Sequence, residues 1–170
     1  MEDRPVSLGH YLFAYLSALA LWLLLVGSLD AAEVVTGALV AMVITLAARP
    51  RLQLLVGLRL EVTAPIHLFR YLIYFFIALI KANLDVARRV LSPALPIQPA
   101  LVEVETELQS DLGRLLLANS ITLTPGTLSV DVRGERILVH WIDALPGCDL
   151  ESATQAIVAG FERHLKGFLR

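Results

Sequence analysis

Apolar residues run without a formal charge from Gly9 to Leu29, GHYLFAYLSALALWLLLVGSL. At ~1.5 Å per residue this stretch covers roughly the ~30 Å hydrocarbon core of a bilayer, and it predicts a spanning helix over 9–29. A second apolar run, AAEVVTGALVAMVITLAA, predicts another over 31–48, closed by Arg49. So short a connection makes the two helices an antiparallel hairpin. Gly37, Ala38 and Ala41 give the second helix a small-residue face, the kind that lets helices approach closely in lipid.

A third helix is predicted over 64–92, and its pattern differs. Its uninterrupted apolar core, Tyr71 to Ile80, amounts to ten residues, ~15 Å of helix and about half a bilayer. His67, Arg70, Tyr74, Lys81, Asp85 and Arg88 recur at steps of three, four and seven, which places them along one stripe. The helix therefore either spans, with Arg70 and Lys81 snorkelling, or lies along the interface or against a partner. Arg49, Arg51 and Arg59 precede this segment, and Lys81, Arg88 and Arg89 follow its core. The positive-inside rule makes both flanks cytoplasmic. Two spanning helices plus one interfacial or re-entrant helix satisfy that; an odd number of crossings does not.

After SPALPIQP, where three prolines end any helix, the period changes. ALVEVETEL (100–108) sets Val102, Val104 and Thr106 against Glu103, Glu105 and Glu107, a half-buried strand. SDLGRLLLANS reads as a short helix, with Ser110 or Asp111 at its N-cap and Leu112, Leu115 and Leu116 facing inward. TLSVDV and RILVHWI make a hairpin around Arg133-Gly134-Glu135. From Asp149 a last amphipathic helix puts Leu150, Ala153, Ile157, Phe161, Leu165 and Phe168 on one face. The order β-α-β-β-α, with two helices on one side of a small sheet, predicts a two-layer α+β domain of split-βαβ, ferredoxin-like type.

Composition sharpens this division. Only 18% of residues are charged and mean hydropathy is +0.69, against about a quarter charged in a soluble domain. The imbalance is local: residues 1–92 hold eight of the fourteen Lys and Arg but six of the sixteen acids. The expected organisation is a membrane half, 1–92, and a cytoplasmic half, 93–170. A cleaved signal peptide is disfavoured because Glu2 and Asp3 offset Arg4, and neither Ala31 nor Ala32 has a small residue at the −3 position. A net charge of −2 gives no reason to expect nucleic acid, and the single Cys148 allows neither an internal disulfide nor a multi-cysteine metal site.

The polar residues between the leucine run at 115–117 and the hairpin, NSITLTPGT, have structural uses. Asn119 suits the left-handed end of a helix. Ser120, Thr122, Thr124 and Thr127 can pair the backbone groups freed there. Pro125-Gly126 fits the centre of a type II turn, with Gly supplying the positive φ. Catalytic alternatives are weaker. Ser120, His140 and Asp143 lack a nucleophile elbow and the spacing of a hydrolase triad. His140 has no companion ligands for a metal, and Pro125-Gly126 lacks the glycines and Lys of a phosphate loop. His140-Trp141 belongs to a strand with helix on one side and solvent or a partner on the other. Asp30 and Glu33 sit at the membrane edge, where carboxylates are simply solvated.

LANSITLTPGTLSVDV followed by ILVHWID, together with LIKANLDVARRVLSP (79–93), resembles the E subunit of Mrp-type, or Mnh-type, multisubunit Na⁺(K⁺)/H⁺ antiporters, over essentially the whole chain. The resemblance implies a multi-pass cell-membrane protein in a complex related to the membrane arm of respiratory complex I. It implies partners, the A, B, C, D, F and G subunits and membrane lipid, with no cofactor and no small-molecule substrate of its own. Large A and D subunits would carry the ion pathways, leaving this chain a non-enzymatic assembly role. Related hydrogenase or respiratory complexes use equivalent subunits. Arg70, Lys81, Asn83 and Arg88 are the expected partner-contact or interfacial residues.

Overall fold

A computed structural model describes residues 6–144 and 147–169; Glu2, Asp3 and Arg4, weighed above against a signal peptide, lie outside them. The chain forms two compact units, Met1–Leu60 and Glu61–Arg170.

In the first unit, α1 (Leu8–Val26) packs on α2 (Ala31–Ala47). α1 stops at Val26 rather than Leu29 because Gly27 takes a left-handed conformation, φ +68°, and returns its N–H to Leu23 O at 2.9 Å. Gly37 and Ala41 are buried, and Leu19 and Trp22 of α1 lie over Gly37. The small residues therefore do form the packing face. Beyond Ala47 the chain turns into a 3-10 helix, Arg49–Gly57, bent 84° from α2. Pro50 in its first turn cannot donate to a continuing α-helix. α2 is thus 17 residues, ~25 Å. α1 and α3 (Ala64–Leu91) are each long and apolar enough to cross a membrane; α2 reaches that standard only together with the bent 3-10 segment.

In the second unit α3 leads into β1 (Ala100–Glu105), α4 (Asp111–Leu123), β2 (Thr127–Arg133), β3 (Arg136–Trp141), α5 (Leu150–Ile157) and α6 (Ala159–Leu165). The strands form an antiparallel sheet in the order β1-β3-β2. Val104 and Ile137 face each other, as do Val102 and Val139, and Val104, Ile137 and Val139 are fully buried. α4 packs on β2 and α5 on β1. Gly134 turns the hairpin at φ +59°, and a bulge between Ser129 and Asp131 shifts the register of β2.

Three local expectations need correction. α4 runs past Asn119 to Leu123, so Asn119 is an exposed helical residue and Thr124 is the cap. With the longer helix the buried stripe becomes Gly113, Leu117, Ser120 and Ile121, and Leu115 is 55% exposed. The single C-terminal helix is two, broken at Val158 just before Gly160, where glycine weakens helix continuation. Packing also divides the chain ahead of α3, whereas composition divides it after α3, at Ser92-Pro93.

Candidate functional site

The polar string from Ser120 to Thr127 lies between α3 and the sheet. Ser120, 1% exposed, donates to Leu116 O at 2.6 Å and shares a 2.6 Å hydrogen bond with the Tyr71 hydroxyl. With its own proton committed to Leu116, Ser120 accepts from Tyr71. Thr124 Oγ1 donates to Ser120 O at 2.7 Å, and Thr127 Oγ1 donates to Ile121 O and Thr124 O at 2.6 and 3.0 Å. Thr122 Oγ1 accepts the Ser129 N–H at 3.1 Å. The Thr124 and Thr127 hydroxyls thus meet carbonyls left open where α4 ends, while Ser120 bonds back inside the helix and Thr122 ties α4 to β2. Gly126 has φ +96°, and Thr127 N–H bonds Thr124 O at 3.3 Å, the conformation and bond that a type II turn around Pro125-Gly126 requires.

Below that turn lies a cavity of about 250 Å³ lined by Arg89, Asp85, Asp143, Thr124, Trp141 and Phe161, among others. Arg89 pairs with Asp85 and with Asp143, each at 2.7 Å, and donates to Pro96 O at 2.7 Å. Its donors are spent on joining the end of α3 to the end of the sheet. Sequence alone assigns Arg89 to membrane topology, and nothing local announces its pairing with a residue 54 positions on.

Aromatic residues join α3 to α6. Tyr71 lies 5.8 Å from Phe168, and Tyr74 meets Phe161 edge-on at 5.4 Å and His164 at 4.7 Å. Burial, then the charges of Arg70 and Arg163, hold His164 below the usual imidazole range. Nearby, Glu162 is buried, accepts the Glu107 N–H at 2.7 Å and pairs with Lys166 at 3.3 Å. Burial alone would lower Lys166, but hydrogen bonding to Glu107 and the charge of Glu162 outweigh it and raise it.

The expected site residues do not form one centre. Ser120 faces the helix side of the sheet, bonded to Tyr71. His140 is exposed on the other side, in register with Leu101 and Leu128. Asp143 belongs to Arg89, so the triad geometry is absent from these three residues. Trp141 lines the cavity. Arg70, Lys81, Asn83 and Arg88 are all exposed on α3, and Asn83 donates back to Leu79 O at 2.8 Å. Among the described residues no group of His, Cys, Asp and Glu is arranged to hold a metal ion.

The chain thus combines two helices long and apolar enough to cross a membrane with a small α+β domain built on a three-stranded sheet. The model of the Na⁺/H⁺ ion antiporter subunit family, MNHE, matches residues 15–167, and the chain belongs to that family. The E-type Na⁺/H⁺ antiporter subunit of Alkalihalophilus pseudofirmus is 51% identical over 71 residues, 41% of this chain and 45% of that one. The chain therefore spans about half the length of that relative. The E1-type Na⁺/H⁺ antiporter subunit of Staphylococcus saprophyticus is 35% identical over 124 residues, 72% of this chain and 75% of its own. Among solved structures, a chain of the membrane-bound sulfane sulfur reductase, an archaeal respiratory membrane complex, is 39% identical. It covers 92% of this chain and 97% of its own, with a TM-score of 0.79.

Proposed function

We propose that this chain is a non-catalytic structural and assembly subunit of a multisubunit Na⁺(K⁺)/H⁺ antiporter that exchanges cytoplasmic cation for external protons. One observation carries the reading: the family match runs through the apolar helices and the α+β domain alike. Residues 1–92 are the membrane half, 93–170 the cytoplasmic domain, and the A, B, C, D, F and G subunits the partners. The strand order β1-β3-β2 supports the split-βαβ reading of the domain. The cap from Ser120 to Thr127 supports a structural use, because its hydroxyls bond main chain and Tyr71. Arg70, Lys81, Asn83 and Arg88 are proposed as contacts with partners or lipid.

A second reading is favoured by the sulfane sulfur reductase chain: the equivalent subunit of a respiratory membrane complex. Purification of the tagged chain in mild detergent, with every co-purifying protein identified, separates the two. Large complex-I-like A and D subunits with four further small membrane proteins support the antiporter. Subunits with redox metal cofactors support the respiratory complex, and a chain recovered alone overturns both. In an assembled antiporter, Lys81→Ala should leave exchange intact; loss of exchange without loss of assembly would give this chain a transport role.

A further inference from the structure

The two sides of α3 have different surroundings. One side is held by the domain along its length. In the first turn the His67 ring lies so close to Gly167 that a Cβ there would stand 2.6 Å from Nδ1. Tyr71 and Tyr74 follow, against Ser120, Phe168, Phe161 and His164. Near the other end Val86 reaches Gly126 and Arg89 pairs with Asp143. The opposite side is an open apolar stripe: Ile66, Phe69, Ile73, Phe76, Ile77 and Ile80 are 46–64% exposed.

Residues 67 to 89 cover about 33 Å at ~1.5 Å per residue, as long as a bilayer's ~30 Å hydrocarbon core. No bilayer-length part of α3 is therefore free of the domain, and a crossing α3 would take the domain into hydrocarbon with it. The domain is unfit for that. β1 and β2 are the edges of a three-stranded sheet, and open edges leave N–H and C=O groups unpaired in lipid. Glu103, Glu105 and Arg136 are exposed on the same sheet and would lose their water.

Charge identifies what the open side meets. Arg70, Lys81 and Arg88 are exposed and stand eleven and then seven residues apart, close to three and two helical turns. They follow one flank of the apolar stripe, and an apolar face edged by cations complements an anionic lipid surface. The basic residues at both ends of the segment ask for the same side of the membrane.

We propose that α3 lies in the plane of the membrane, its apolar stripe at the boundary of headgroups and acyl chains, with Arg70, Lys81 and Arg88 on anionic headgroups. In this position the domain sits on the membrane surface along the whole of α3. The inference holds for either complex named above.

The test uses the full chain, with the subunits that co-purify, reconstituted in phosphatidylethanolamine and phosphatidylglycerol vesicles. In a Cys148→Ser background, spin labels are placed one at a time at Phe69→Cys, Ile73→Cys, Phe76→Cys, Ile80→Cys and Leu84→Cys. All five sites are exposed, so the packed side of α3 is untouched. Oxygen against nickel-chelate accessibility then gives the depth of each label. One shallow depth for all five, about 5–10 Å below the headgroups, is expected. Depth that passes through a maximum along the series means that α3 crosses; labels shielded from both reagents mean that a protein covers the stripe. Either result overturns the proposal. With Arg70→Gln, Lys81→Gln and Arg88→Gln combined, nickel-chelate accessibility should rise about two-fold at every site. Unchanged accessibility would overturn the role of anionic lipid.

Discussion

A side chain at Gly126 meets two obstacles, a backbone φ of +96° and Ile142 Cγ2 at 3.1 Å from where its Cβ would stand. Gly126→Val should therefore lower stability by about 2 kcal/mol, seen as a fall of several degrees in the melting temperature of the purified chain. A fall no larger than that of an exposed control such as Asn119→Ala would show that the turn does not need its glycine. Tyr71 and Ser120 share one hydrogen bond but should not be equivalent. Tyr71→Phe leaves Ser120 donating to Leu116 and removes a bond worth about 1 kcal/mol. Ser120→Ala strands a hydroxyl on Tyr71, which is only 8% exposed, and should cost more, up to about 3 kcal/mol. Denaturant unfolding of the two variants compares them directly, and the opposite order would mean that the tyrosine, not the serine, supports the cap.

Among the elements, the joint between α3 and α6 carries a pH dependence. Folded His164 titrates below its ordinary value because it is half-buried and then because Arg70 and Arg163 stand near, with Tyr74 on its ring. On acidification the unfolded chain takes up its proton first, near the ordinary value of about 6.5. Stability from this histidine is thus complete above that value and is lost as pH falls toward the lower value of the folded state. His164→Phe keeps a ring against Tyr74 but cannot titrate. Between pH 7.5 and 5.5 the melting temperature of the wild-type chain should fall further than that of the variant; equal falls would remove His164 as the cause. Sequence periodicity makes the strands and the inner stripe of α5 and α6 legible, because alternation and three-four spacing are local signals. It misplaces the end of α4, because Asn119 permits a helix end without requiring one, and Ser120 gains more from Leu116 and Tyr71 inside the helix. The pairings Tyr71–Ser120, Arg89–Asp143 and Glu107–Lys166 join residues 49 to 59 positions apart, which no local pattern encodes. The turn residues of the candidate cap can be read in advance; their link to α3 cannot.

For the whole molecule, the two ways of dividing the chain lead to different proteins. Composition separates residues 93–170 as a soluble domain. Packing keeps α3 with that domain, because Tyr71 and Tyr74 lie on Phe161, His164 and Phe168, and Phe161 and Phe168 are 6% and 4% exposed in that arrangement. Removing α3 uncovers both rings and takes the Tyr71 hydroxyl from Ser120, while Arg89 takes with it the ion pair to Asp143. Uncovering two phenylalanines forfeits several kcal/mol at about 25 cal/mol per Å² of apolar surface, a large share of what holds so small a domain together. A fragment of residues 61–170, kept in mild detergent for the open stripe of α3, should unfold in one cooperative transition. The fragment 93–170 should show helix and strand by far-ultraviolet circular dichroism but a broad melting curve and poorly dispersed amide resonances. Sharp, cooperative unfolding of 93–170 alone would mean that α3 rests on a domain complete without it. That result would also leave the domain free to stand away from the membrane, whereas a domain that needs α3 is bound to stay wherever that helix lies.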